Sequence, residues 1–264
     1  MIENAKKMNP YLYSISMFVI TMLLPWGVAY QLFCLLPGYY GGALKYGVSL
    51  VLGVICVYAT EGKLNFSIQN EKFMKGLFSY GLLGLICAMA AAIFSYSPVE
   101  HGTTIMIMIG YILYNLMIAL SEEFIFRGVI LHKFLDKGTN IFGAIIASSI
   151  IFGLRHFINL ITMPNTMVST IGQVGFTFMA GFYLCAVYMK TKNIWICVLI
   201  HFLEDFSTGL WPLFSDEALA AAQNQDGSIM QVMLLLAVHS IYVIFGVLML
   251  KSKEGGKEDG NYRI

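Results

Sequence analysis

Three short polar clusters interrupt an otherwise apolar chain: Ser121-Glu122-Glu123-Phe124-Ile125-Phe126-Arg127, Phe152-Gly153-Leu154-Arg155-His156 and His201-Phe202-Leu203-Glu204-Asp205. Carboxylates take and return protons, and imidazoles hold a water or donate to an anion. Together they suit hydrolysis by an activated water, with stabilisation of a tetrahedral oxyanion. Spacing divides the labour within each cluster. Glu123 and Arg127 stand four apart, share a helix face and can neutralise each other, so they read as scaffold. Glu122 lies about 100° round the same helix and points elsewhere. Phe152 and His156, like His201 and Asp205, repeat the four-residue spacing. Glu122, His156, His201 and Asp205 are then the groups able to converge. A zinc ion held by Glu122, His156 and His201, with its fourth position left to water, is the alternative, although the HExxH motif of established zinc proteases is absent. Charge counting is compatible with both readings. Glu122, Glu123, Glu204 and Asp205 face only Arg127 and Arg155, so in low dielectric either some carboxyls hold protons or a cation is present. Arg155 is expected to pair with Glu204 or to reach outward, and no catalytic part is assigned to it.

The elements that must position these groups are transmembrane helices. Of the 264 residues 58% are hydrophobic and 12% charged, with a mean hydropathy of +0.73, against roughly a quarter charged in soluble domains. That leaves too little polar surface to cover a water-soluble globule. A net charge of +1 gives no reason to expect nucleic acid as a partner. The five cysteines are scattered through apolar runs without CxxC spacing and read as small core residues. The predicted fold is all-α, a polytopic bundle of about eight spans, at roughly 11–36, 43–60, 74–97, 104–131, 141–161, 167–189, 193–213 and 229–250. No cleavable leader is expected, and the polar tail from Lys251 onward is expected to be disordered. Residues 1–103 would form three N-terminal spans, 104–250 a five-span core, and 251–264 a cytoplasmic tail. Of the 16 lysines and arginines, all but Lys45 and Arg155 fall on one side of this arrangement, which places both termini in the cytoplasm. Along the helix axes, Glu122 lies about 13 Å from Leu131, His156 about 22 Å from Ile141, and His201 about 12 Å from Asn193. The three clusters therefore fall at mid-membrane depth, where ionisable groups mark function by default.

The order EExxxR, FxxxH, HxxxD on successive hydrophobic helices, here Glu122 to Arg127, Phe152 to His156 and His201 to Asp205, resembles the CPBP family. That family comprises the type II CAAX prenyl endopeptidases and the bacterial Abi or bacteriocin-immunity proteins. The resemblance covers roughly residues 104–210. It implies an intramembrane endopeptidase in which Glu122 is the general base and shares its water with His156, while His201 and Asp205 face the oxyanion. Glu123, Arg127 and Phe152 would give structural support. Asp205 stands where the CAAX proteases carry Asn, as in many bacterial members. The implied substrate is a hydrophobic or lipidated membrane peptide, of CAAX, bacteriocin or pheromone type, and the implied location is a cell membrane, that of a bacterium by the same resemblance. No cofactor is required in this reading, zinc being the alternative. A non-catalytic immunity or peptide-binding protein, or a proton-coupled transporter using the buried carboxylates as a relay, would use the same residues differently.

Overall fold

The structure, a computed structural model, describes residues 7–25, 36, 38–59, 70–162, 167–223 and 228–252. The expected tail beyond Ser252, Cys34 and the second part of the first expected span lie outside these residues.

A backbone in hydrocarbon must satisfy its own polar groups, and helices do this within one segment. All regular elements among the described residues are helical. Helix α1 (Pro10–Phe18) begins with Pro10 behind an Asn9 cap, at a position where no N–H is needed, and widens into a π stretch over Val19–Leu23. Helix α2 is Tyr39–Ala59. Helices α3 (Asn70–Tyr80) and α4 (Leu82–Phe94) meet at a bend of 65°. Thr104 caps α5 (Ile105–Glu123), which passes through a π stretch, Phe124–Leu131, into α6 (His132–Asp136). Helix α7 (Ile141–Leu154) tightens into a 3-10 turn at Arg155–Ile158 before α8 (Asn159–Thr162). Lys192, at φ 51°, turns the chain from α9 (Met167–Thr191) into α10 (Ile194–Thr208), which Asn193 caps. After a 3-10 turn at Trp211–Leu213 come α11 (Asp216–Gln223) and α12 (Ile229–Lys251), which opens with a Ser228–Gln231 capping box. The segment between the seventh and eighth expected spans is therefore partly helix, Asp216–Gln223.

Among the described residues five stretches are long and apolar enough to cross a membrane: Tyr39–Cys56, Ile105–Asp136, Ile141–Ile161, Met167–Thr191 and Ile229–Lys251. The bent pair α3–α4 makes a sixth if counted as one span. The expected span at 74–97 is thus a broken helix. The break falls at Gly81, whose N–H reaches back five residues to the Gly76 carbonyl at 3.3 Å, one of the recognised causes of a kink. Tyr183 of α9 spans the break: its hydroxyl donates to the Tyr80 carbonyl at 2.7 Å and accepts from Gly84 N at 3.1 Å. A polar group loosened by the bend is paired in this way rather than left in hydrocarbon. The element at the seventh expected span is shorter than predicted, the 15 residues of α10, and of the first expected span the apolar helix Pro10–Leu23 is described.

Helix α9 is the central post. It packs against α7 and α12, while α10 packs on α4 and α5, and α2 on α5. Every residue from Ala180 to Met189 is buried, around a core that includes Ile130, Leu131, Ile145 and Ile196. Large apolar side chains such as Val51, Ile55, Ile105, Met230 and Leu248 are exposed on the outer faces. Among the described residues Cys56, Cys87, Cys185 and Cys197 form no disulfide. The α7–α9 contact depends on Gly153, where a Cβ would lie 2.8 Å from the Val174 carbonyl oxygen and 3.3 Å from Phe178 Cβ. Backbone at that distance cannot swing aside, so Gly153→Ala should cost about 1–3 kcal/mol by overpacking. A melting curve in detergent micelles checks this, and an unchanged midpoint would contradict the close packing.

Candidate active site

Glu122 and Glu123 end α5 at the point where the helix widens into its π stretch, and both are buried. π-helical insertions are frequent at functional positions. Here the widening leaves the four-residue pairing intact: Arg127 Nη1 donates to Glu123 Oε1 at 2.8 Å, with both side chains at 0% exposure. The guanidinium also reaches the Gly181 carbonyl of α9 at 3.3 Å and lies 4.8 Å from the Phe152 ring centroid. Phe152 packs edge-on against His156 and His201, with ring centroids 5.8 and 6.1 Å away.

Glu123 has a second task. The same Oε1 lies 2.7 Å from His201 Nδ1. An ionised carboxylate only accepts, so Nδ1 carries the proton, and the ring is fixed with Nε2 directed to the other side. That nitrogen stands 3.8 Å from Glu122 Oε2 and 3.5 Å from Asp205 Oδ2. A carboxylate holding one imidazole nitrogen to aim the other is a recurrent device for orienting functional histidines. Sequence spacing assigned Glu123 to Arg127 alone and left His201 unattached. No local pattern could have shown a bond between α5 and α10.

Arg155 departs from expectation. It pairs with Glu122, with side-chain exposures of 8% and 3%, and not with Glu204. Glu204 instead accepts a short hydrogen bond from Tyr242 of α12. Arg155 opens the 3-10 turn that ends α7, and this turn brings the arginine and the adjacent His156 to one cavity. His156 Nε2 is buried without a hydrogen-bond partner among the described residues.

A cavity of about 270 Å³ is lined by Glu122, His156, His201 and Asp205 together. All four of the residues singled out in the sequence, from three separate helices, thus border one hollow. Arg155, Glu204 and Phe152 border it too. So do polar residues that sequence reasoning passed over: Asn115, Asn159, Gln173, Thr208 and the tyrosines Tyr46 and Tyr114. Asn159 Nδ2 donates to Gln173 Oε1 at 2.8 Å across the α8–α9 gap. Two of these carried a legible signal. Asn115 lies two helical turns before Glu122, and Asn159 lies one turn after His156.

The donor arrangement does not suit the zinc alternative. Glu122, His156 and His201 do not bring one ligand atom each within 4.8 Å of one another, whereas Glu100, His101 and Asp216, exposed and remote from the cavity, do so among the described residues. Arg155 also places a permanent cation on the carboxylate that a metal would need.

No match is found among curated proteins. Residues 104–207 match the family model described as Type II CAAX prenyl endopeptidase Rce1-like, a stretch that runs from the cap of α5 almost to the end of α10 and contains all three polar clusters. Over that segment the chain is similar to the Rce1-like type II CAAX prenyl endopeptidases, in agreement with the resemblance carried by its three motifs.

Proposed function

We propose that this protein is an intramembrane endopeptidase that cuts a membrane-associated, hydrophobic or lipidated peptide. The observation that carries this reading is the single cavity bordered by Glu122, His156, His201 and Asp205. In the proposed reaction Glu122 takes a proton from water as its oxygen attacks the scissile carbonyl. His156, through its unpartnered Nε2, holds that water. With Nδ1 already donating to Glu123, His201 donates from Nε2 as an imidazolium, and a protonated Asp205 donates beside it to the oxyanion, which is where preorganised donors are most effective. Collapse of the tetrahedral species breaks the C–N bond, and Glu122 returns its proton to the leaving amine. Glu123, Arg127 and Phe152 are positioning residues.

The site lies within helices that are apolar on their outer faces, and the expected arrangement of about eight spans, with both termini cytoplasmic, gives a substrate access from that side. Residues 104–250 form the catalytic core in this reading and 1–103 an N-terminal helical layer. The experiment is cleavage of a prenylated Cys-Val-Ile-Met peptide by purified protein in micelles, with the products weighed by mass spectrometry. Release of Val-Ile-Met supports the reading, and an intact peptide under conditions where the protein is folded sinks it. Because the donor geometry does not suit zinc, a chelator such as 1,10-phenanthroline should leave the rate unchanged within about twofold. Loss of activity that added zinc restores would reverse the mechanism.

One observation favours a second reading. Arg155 occupies the proposed base, and a base held in an ion pair suits a protein that binds a peptide without cutting it, as an immunity protein would. The two readings separate on turnover.

A further inference from the structure

Arg155 occupies a singular place. It borders the polar cavity, and it also borders a separate apolar groove of about 450 Å³ formed by α1 and α7, lined by residues that include Tyr11, Ile15, Phe18, Ile150 and Leu154. One residue thus borders both hollows. Glu122, Glu204 and Asp205 all line the polar cavity, and Arg155 is the one permanently charged cation among its described lining residues. A second anion entering this cavity would meet three carboxyl groups. In low dielectric it would be repelled unless a cation received it. A guanidinium offers five N–H donors in a planar fork, more than a single carboxylate satisfies.

We infer that Arg155 is the specificity-determining residue that reads the free C-terminal carboxylate of the peptide, and that the same carboxylate draws it away from Glu122. This rests on the proposed endopeptidase reading and adds to it a requirement on the substrate, namely a chain end close to the scissile bond. Before substrate arrives, Arg155 keeps Glu122 paired and the base is engaged. When a terminal carboxylate enters, the guanidinium exchanges one anion for another, and Glu122 becomes available to water. No bond is made or broken in this step, and the net charge of the cavity with its bound peptide is unchanged by the exchange.

The test compares a prenylated Cys-Val-Ile-Met peptide as free acid and as C-terminal carboxamide. Both binding and cleavage are measured in micelles for the wild type, Arg155→Gln and Glu122→Gln. The wild type should prefer the acid by roughly 10–100-fold in kcat/KM, the range of a buried charge-assisted hydrogen bond. Arg155→Gln should lose that preference in binding as well as in cleavage. Glu122→Gln removes the competitor for Arg155, so it should bind the acid several-fold more tightly than the wild type does while binding the amide equally. Loss of the Glu122 charge also eases the entry of an anion, so the gain must vanish when Arg155→Gln is combined with Glu122→Gln, and a gain kept in that double variant would overturn the inference. Equal binding of acid and amide by the wild type, a preference retained in Arg155→Gln, or weaker acid binding by Glu122→Gln would each overturn the inference. Where Arg155→Gln alone does not accumulate as folded protein, the double variant, which removes both partners of the buried pair, decides by comparison with Glu122→Gln. Selective binding of the acid without cleavage would remove the endopeptidase reading and leave the role of Arg155 standing. Cleavage of both peptides at equal rates would do the reverse.

Discussion

Glu122→Gln is expected to lower peptide turnover by roughly 10²–10⁴-fold, the share that a positioned acid–base group commonly supplies. Glutamine keeps the size and shape of the side chain but cannot take a proton from water. The substitution also leaves the Arg155 guanidinium, 8% exposed, without its anion, so some loss of stability should accompany the loss of rate. The two effects are separable. Turnover is measured per folded molecule, with the folded fraction taken from size-exclusion profiles and helical content from circular dichroism. A folded Glu122→Gln protein that retains more than about a tenth of wild-type turnover would remove Glu122 from the base position.

Glu123→Ala is expected to destabilise the protein by about 3–5 kcal/mol, the cost of leaving a buried charge without its partner. Arg127 is completely buried, and Glu123 Oε1 is its carboxylate partner. The same change removes the acceptor that fixes His201 Nδ1, so surviving folded protein should also turn over slowly. A double substitution separates these roles. Glu123→Leu with Arg127→Met replaces the ion pair by apolar groups of similar volume, a change that is often neutral or stabilising, and thermal melts should show most of the stability restored. Activity should remain low, because His201 still lacks the group that aims it. Recovery of both stability and activity would show that Glu123 serves Arg127 alone.

How far the sequence disclosed this site depends on which interactions are local. The Glu123–Arg127 pair was legible because four-residue spacing puts both on one face of one helix. The choice of Glu122, His156, His201 and Asp205 was legible because ionisable groups in apolar runs are costly and need a reason. Their placement around one hollow was a question of depth, and rise per residue showed that they could meet without showing that they do. The partner of Arg155 was misread. The sequence offered it Glu204 or an outward reach, but the 3-10 turn after Leu154 carries the arginine toward α5, and Tyr242 of α12 claims Glu204. The broken helix α3–α4 was hidden for a similar reason. Its hydropathy is continuous, and the bend at Gly81 is accommodated by Tyr183, about a hundred residues away in sequence. Short apolar helices such as α10 end where a neighbouring element supports them, which no window average registers.

The central claim is that the cavity bordered by Glu122, His156, His201 and Asp205 hydrolyses a peptide. The most direct measurement is mass spectrometry of a prenylated Cys-Val-Ile-Met peptide incubated in H₂¹⁸O with wild-type protein and with His156→Ala of equal helical content. The account predicts release of Val-Ile-Met and one ¹⁸O in the new cysteine carboxylate for the wild type, and neither for His156→Ala. An uncut peptide in the wild-type sample, or equal release by both proteins, would contradict it.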